Sequence, residues 1–331
     1  APDPTYRPRV TVIVPTYNEA PLIEEKLDNI YEQDYPRDKL EVIVVDSAST
    51  DGTPEKVEKW AERHRDLKLI LIREPERRGM VPALNHALKH VSENSEIVVF
   101  TDADSFWEKH TLKTVVSFFA DPTVGAVTTC IAPLQNDQTE KTYRDYYNML
   151  RVAESKIHST PIHNGTLVAF RKNLLEKIGG LPTYTGNNDS TPASLIAFMG
   201  YRAIQIDTTT ATEPIRQNQP ERKIRRAQHL ILHFLYTKKY AKRRGIYKKT
   251  QFDKIWKIEF YLHVINPWLL VTSLVFFILS AIMGSVYAML ALSGAIALVL
   301  IEQSRTWLIN QAYLVIASIR NIISKELIWK K

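Results

Sequence analysis

From Val264 to Ile301 the chain runs 38 residues without a single Asp, Glu, Lys, Arg or His. One bilayer crossing takes about 20 apolar residues, so this run has room for two. The stretch before it is opposite in character. Arg216 to Lys257 holds 14 basic residues against only Glu221 and Asp253, a local charge of +12 that leaves the rest of the chain at −5 within a total of +7. A basic block abutting an apolar one reads as a membrane attachment with its flanks on the cytoplasmic side, and Arg305, Arg320, Lys325, Lys330 and Lys331 repeat the bias further on. The expected crossings are Val264–Met283 and Ser285–Ile301. An interfacial helix is expected after them, where Trp307, Leu308, Leu314, Val315, Ile319 and Ile322 recur. A hairpin buried in a soluble protein explains so long an uncharged run poorly.

Basic charge alone would equally admit nucleic acid. The aromatics of the block, Phe234, Tyr236, Tyr240 and Tyr247, lie beside the apolar run rather than on a sheet that could stack bases, so no nucleic-acid partner is expected. Ile224, Ala227, Leu230, Ile231, Phe234, Leu235 and Tyr236 fall at near-helical spacing among the Lys and Arg, the pattern of an amphipathic helix on anionic lipid. The single cysteine, Cys130, rules out an internal disulfide and permits a reducing compartment. No signal-peptide pattern is visible at the start of the chain.

The first half alternates. Apolar, β-branched runs at Val10–Val14, Val42–Val45, Leu69–Ile72 and Ile97–Phe100 are separated by stretches with helical spacing, such as Leu22, Lys26, Leu27 and Ile30. That is β-α-β order, hence an α/β fold with a mostly parallel sheet and helices on both faces. Ligands of such sheets bind beyond the carboxyl ends of the strands. The residues there are Pro15 to Glu19, Asp46 to Gly52, and Asp102-Ala103-Asp104. No Gly-x-Gly-x-x-Gly turn or Gly-Lys-Ser/Thr loop follows a strand, which removes the main support for dinucleotide oxidoreduction and P-loop chemistry. Asp102 and Asp104, two apart at a strand end, suit a hard divalent cation that keeps positions open for phosphate oxygens. They also suit an ordinary turn. Asp46 is open to two readings: an acceptor for a nucleobase or ribose, or a cap-like turn ahead of the next helix.

The strings VTVIVPTYNEA, VVDSASTDGT, RRGMVPALNHAL, VVFTDADS and NGTLVAFRKNLLEKIGGLP, in this order, resemble the GT-A domain of family 2 glycosyltransferases over roughly Pro8 to Arg226. NNDSTPASLIAFMGYRA continues the likeness and matches Asp189 to the family's catalytic base. Read by itself, Asp189 is equally a helix N-cap, ahead of Pro192. The resemblance implies inverting transfer of a sugar from a nucleoside diphosphate, helped by Mn²⁺ or Mg²⁺. It implies nucleoside-binding roles for Pro15, Tyr17, Glu19 and Asp46, ribose and metal roles for Asp102, a metal role for Asp104, and the base role for Asp189. Arg225 and Arg226 are candidates for the donor diphosphate, because Arg pairs phosphate bidentately. Three departures stand out: Gly79-Met80 where the family often has Gly-Lys, Asn188-Asp189 where it has Glu-Asp, and Arg222-Lys223-Ile224-Arg225-Arg226 in place of Gln-x-x-Arg-Trp.

These readings divide the chain into a GT-A catalytic domain (1–215), a basic amphipathic interface segment (216–257), a two-helix transmembrane hairpin (258–302) and an interfacial helix (303–331). The expected protein is a hexosyltransferase at the cell membrane, with its catalytic domain cytoplasmic and a lipid or glycolipid acceptor in the bilayer. Similarity to microbial membrane mannosyltransferases favours GDP-mannose, and possible β-mannosyl transfer, over a UDP-sugar and a glucosyl-type reaction. The competing readings are a catalytically silent nucleotide-sugar binding protein, favoured by Met80 and the altered arginine motif, and a nucleotidyltransferase, disfavoured by the apolar hairpin.

Overall fold

The computed structural model describes residues 2–133, 138–213 and 219–323. In chain order its elements are β1 (Val10–Thr16), α1 (Ile23–Tyr31), β2 (Leu40–Ser47), α2 (Thr53–Arg63), β3 (Lys68–Glu74), α3 (Met80–Leu88), β4 (Ile97–Phe100), β5 (Phe106–Trp107), α4 (Thr111–Ser117), β6 (Val124–Pro133), α5 (Gln138–Ile157), β7 (Val168–Arg171), α6 (Lys172–Ile178), α7 (Ser190–Phe198) and β8 (Arg202–Glu213). After these come α8 (Gln219–Arg243), α9 (Phe252–Phe260), α10 (Asn266–Ile282), α11 (Val286–Val299) and α12 (Glu302–Ile323). The four expected strand runs are β1 to β4, each lengthened or kept.

All eight strands form one sheet in the order β3-β2-β1-β4-β7-β6-β8-β5. β3, β2, β1 and β4 are mutually parallel, β7 is antiparallel to both neighbours, β6 and β8 are parallel, and β5 is antiparallel to β8. The expected mostly parallel α/β sheet is therefore present. Every residue of β2 is buried, and β1 is buried except at Pro15, as a sheet covered on both faces requires. Chain order reverses between β1 and β4, and the crevice at such a switch point is where open α/β sheets bind ligands. The register aligns the rim there: Thr16 pairs with Asp46, Asp46 with Arg73, and Ser47 with Glu74.

The chain forms two compact units, and Tyr236–Ile255 belongs with the sheet. In that segment α8 ends at Gly245 (φ +67°), where Ile246 N donates to Ala241 O. Lys238 and Tyr247 both bond Asp253 Oδ1, at 2.5 and 2.8 Å. Phe252 packs edge-on to Phe198, and Lys248 N donates to Phe198 O at 2.6 Å.

The second unit holds the earlier part of α8 and the helices from Trp256 onward. Ile224, Ala227 and Ile231 of α8 pack on Leu314 and Ala317 of α12, while Arg320 reaches Glu221 through two bonds of 2.8 and 3.1 Å. Part of the apolar face of α8 expected on lipid is thus covered by a complementary stripe of α12, while Leu235 and Tyr236 stay exposed. The break between α10 and α11 falls at Gly284 (φ +90°), with Ser285 capping α11. Among the described residues, one helix, Phe252–Ile282, is by itself long and apolar enough to cross a membrane, and almost none of its most apolar stretch is buried. α11 is shorter than the expected second crossing. Its 14 residues rise about 21 Å, against a hydrocarbon core of about 30 Å, before a 103° bend into α12.

Candidate active site

The rim is built from three loops and two turns. After β1, Asn18 N donates to Ser49 Oγ (2.8 Å), Asn18 Oδ1 accepts from Thr50 N (2.9 Å), and Glu19 N donates to Thr53 Oγ1 (2.9 Å). These bonds stitch the β1–α1 loop to the β2–α2 loop. Both loops carry a non-glycine residue in the left-handed region, Asn18 (φ +54°) and Ala48 (φ +58°). For Ala that conformation costs about 1 kcal/mol, held by the surrounding bonds.

Asp46 is buried and accepts from Ser49 N (2.9 Å), Ser49 Oγ (2.5 Å) and Thr16 Oγ1 (3.0 Å). Its carboxylate organises the turn that follows β2. Tyr17 lies under the Arg77 guanidinium, 3.8 Å from the ring centroid. Pro15 and Glu19 flank Tyr17, all three half-buried at the mouth of the crevice. The sequence motifs assign no role to Arg77, which only the β3–α3 loop brings over Tyr17. Beside it, Glu74 is closed off from solvent and paired with Arg78 (2.9 Å), His86 (3.2 Å) and Ser47 (3.0 Å).

Beyond β4, Asp104 is buried and Asp102 half-buried. A side-chain carbon added at Gly165 would lie 3.2 Å from Asp189 Oδ2 and 3.9 Å from Asp102 Oδ2. Those two oxygens are therefore at most about 7 Å apart, facing one another across a glycine. The structure brings together two of the carboxylates singled out from distant motifs. Asp189 also caps α7, its Oδ1 accepting from Ser190 N and, at 3.0 Å, from Ser190 Oγ. One oxygen fastens the helix while the other faces Gly165, so cap and site residue coexist in one side chain.

The Gly165 turn is itself fastened. His163 N donates to Ser190 Oγ (2.9 Å), Asn164 Nδ2 to Thr129 O (3.1 Å), and Thr101 Oγ1 to Thr166 O (2.8 Å). Lys26, fully buried on α1, donates to Thr101 Oγ1 (2.9 Å) and to Ser105 O. Burial pushes its ammonium down to about 7, opposed by the nearby Asp102 charge. Sequence spacing marked Lys26 only as part of a helical face. Arg225, half-buried, and Arg226, exposed, lie on the part of α8 in the second unit.

Among the described residues no group of three or more His, Cys, Asp and Glu side chains forms a metal cage. Two carboxylates on one turn, beside an opening that a single methyl would fill, suit a hard cation that takes its remaining ligands from a diphosphate. Alanine at Gly165 should lower turnover at least about tenfold by displacing the Asp189 carboxylate, with thermal stability within a few degrees of the parent. Parental turnover in Gly165→Ala would show that the opening has no part in the reaction.

Residues 11–179, half of the chain, match the family model described as glycosyl transferase family 2. The structure of mannosyltransferase PcManGT from Pyrobaculum calidifontis in complex with GDP-Man and Mn²⁺ is 53% identical, with a TM-score of 0.86 over 98% of this chain and 90% of that one. Staphylococcus aureus TarS 1–349 in complex with UDP-GlcNAc is 23% identical (TM-score 0.51, 69% of this chain and 67% of that one) and shares the fold alone. A probable glycosyltransferase of Bacillus subtilis, YdaM, is 26% identical over 69% of this chain, but the match spans only 57% of that protein. With the sheet order, the acidic rim and these likenesses in agreement, the chain belongs to glycosyl transferase family 2.

Proposed function

We propose that the protein is a membrane-associated, metal-dependent inverting hexosyltransferase that moves mannose from GDP-mannose to a hydroxyl of a lipid or glycolipid acceptor. The observation that carries the donor assignment is the 53% identity, over 98% of the chain, to a structure holding GDP-Man and Mn²⁺. The rim supports the same chemistry. Tyr17 with Arg77, Pro15, Glu19 and Asp46 line the nucleoside end, and Asp102 and Asp104 are the residues that would hold the cation. Held there, a divalent cation would supply neutralisation of the charge developing on the departing diphosphate.

The rest falls to the chain. An acceptor hydroxyl is a weak nucleophile until its proton is taken, and Asp189 Oδ2, across Gly165 from Asp102, is the group poised to take it. Oδ1 stays committed to the α7 cap, so the base cannot swing away as it works. The hydroxyl oxygen attacks the anomeric carbon on the face opposite the diphosphate, inverting it without an enzyme-bound sugar.

Membrane association is supported by the exposed apolar side chains of α10 and α11, among them Phe276 at 72% and Leu290 at 65%, and by the exposed Lys239, Lys242, Arg243, Lys248 and Lys249 that precede the apolar helix. Such a patch is far larger than soluble monomers leave uncovered. Basic residues near an anionic leaflet each add about 1 kcal/mol.

Three measurements test this reading. In a thermal-shift panel with Mn²⁺, GDP should stabilise the protein and UDP should not, and EDTA should abolish the shift; at a hundred times its Kd a ligand adds about 2.7 kcal/mol. Equal shifts in excess EDTA would remove the metal from the proposal. Asp189→Asn should keep donor affinity while release of GDP from GDP-mannose falls at least about 10²-fold, since Asn caps a helix as well as Asp does but takes no proton. Near-parental release would refute the base. The full chain should require detergent to leave the membrane fraction, and partition into water without it would refute the attachment.

A further inference from the structure

We propose that Lys26 is a positioning residue for transfer: through Thr101 it locks the Asp102-Ala103-Asp104 turn to the Gly165 turn and so sets the separation of Asp102 from Asp189. The inference rests on the role proposed above for those carboxylates. Lys26 sits in the middle of the apolar face of α1, with Ile23, Leu27 and Ile30 around it, all fully buried. A leucine or methionine there would satisfy packing, and a buried cation gains little stability over an apolar residue of the same shape. What the lysine adds is reach. Nζ donates to Thr101 Oγ1 before the turn and to Ser105 O after it, while lying 4.3 Å from the Trp107 ring centroid. Thr101 Oγ1, having accepted from Lys26, donates onward to Thr166 O at 2.8 Å.

One turn along α1, Asn29 clamps the far end of the same loop, accepting from Trp107 N and donating to Trp107 O, each at 2.8 Å. The acidic turn is thus pinned at both ends by residues three apart on one helix, and the first pin continues into the turn that faces Asp189. Nζ carries enough N–H bonds for both acceptors whether or not it is protonated, so the brace does not depend on its charge. Reacting groups displaced by about 1 Å lose rate on the order of 10²-fold.

The test is a double-mutant cycle read by GDP release from GDP-mannose with Mn²⁺. Lys26→Met and Thr101→Val should each lower kcat at least about tenfold with KM for GDP-mannose within about threefold, and the double variant should be no slower than the worse single one. Thermal stability of Lys26→Met should equal or exceed the parent. A residue that only supported folding would lose stability and leave the kcat-to-KM split unmoved. Turnover of Lys26→Met within about twofold of the parent, or losses that multiply in the double variant, would overturn the inference. Should Lys26→Met not fold, Thr101→Val breaks the same bridge from its other end, and parental kcat there overturns it too. If the parent binds GDP and Mn²⁺ but releases no GDP from GDP-mannose, the proposed reaction fails and this inference falls with it.

Discussion

Like charges gathered at one rim repel, and most of the local structure of this domain serves to hold them there. Two carboxylate oxygens at most about 7 Å apart repel by at least roughly 2 kcal/mol at an effective dielectric of 20. Asp46 and Asp189 are each met by donors, and the turn of Asp102 and Asp104 is braced through its backbone. Asp46 takes bonds from Thr16 and Ser49, Asp189 takes two from Ser190, and Lys26 lies under the turn that carries Asp102 and Asp104. These donors tie the rim to strand β1, to helix α1 and to the N-terminus of α7, and so hold it rigid. A ligand entering this rim meets an arrangement formed beforehand, with little left to reorganise.

The parallel strands explain why the loops meet. Four strands running the same way deliver every following loop to one edge, and the reversal of order between β1 and β4 opens a crevice rather than a closed row. β7 then enters antiparallel beside β4, which brings the Gly165 turn to the same edge from the opposite direction. α7 is buried along its whole length, so its N-terminus stays fixed, and Asp189 stays with it.

The carboxyl-terminal helices obey a different constraint. α8 hides one apolar stripe against α12, but α10 and α11 leave theirs exposed, and no partner element of this chain covers them among the described residues. In water so large an uncovered surface is unfavourable by about 25 cal/mol per Å², whereas hydrocarbon removes the cost. The 103° bend after α11 separates a short apolar helix from one with spaced polar residues.

Periodicity and composition alone specified the β-α-β order, the four parallel strands, the acidic clusters at their ends and the break near Gly284. These are local properties, carried by side-chain alternation and by the punctuation of Gly, Pro and Asp. The likeness in motifs extended this to the family and to Asp189. What tertiary structure alone decided is how distant residues combine. Gly165 reads as one more glycine until β7 carries it between Asp102 and Asp189, and Arg77 reads as one more surface charge until the β3–α3 loop folds it over Tyr17. Lys26 fits a helical repeat in sequence, and only the packing of α1 against the β4 loop turns it into a brace. Likewise Ile224, Ala227 and Ile231 of α8 suggest lipid until α12, some ninety residues later, covers them. The difference has one physical cause: a strand or helix is encoded within a few residues, whereas a contact across the fold depends on pairings whose partners the linear order does not name.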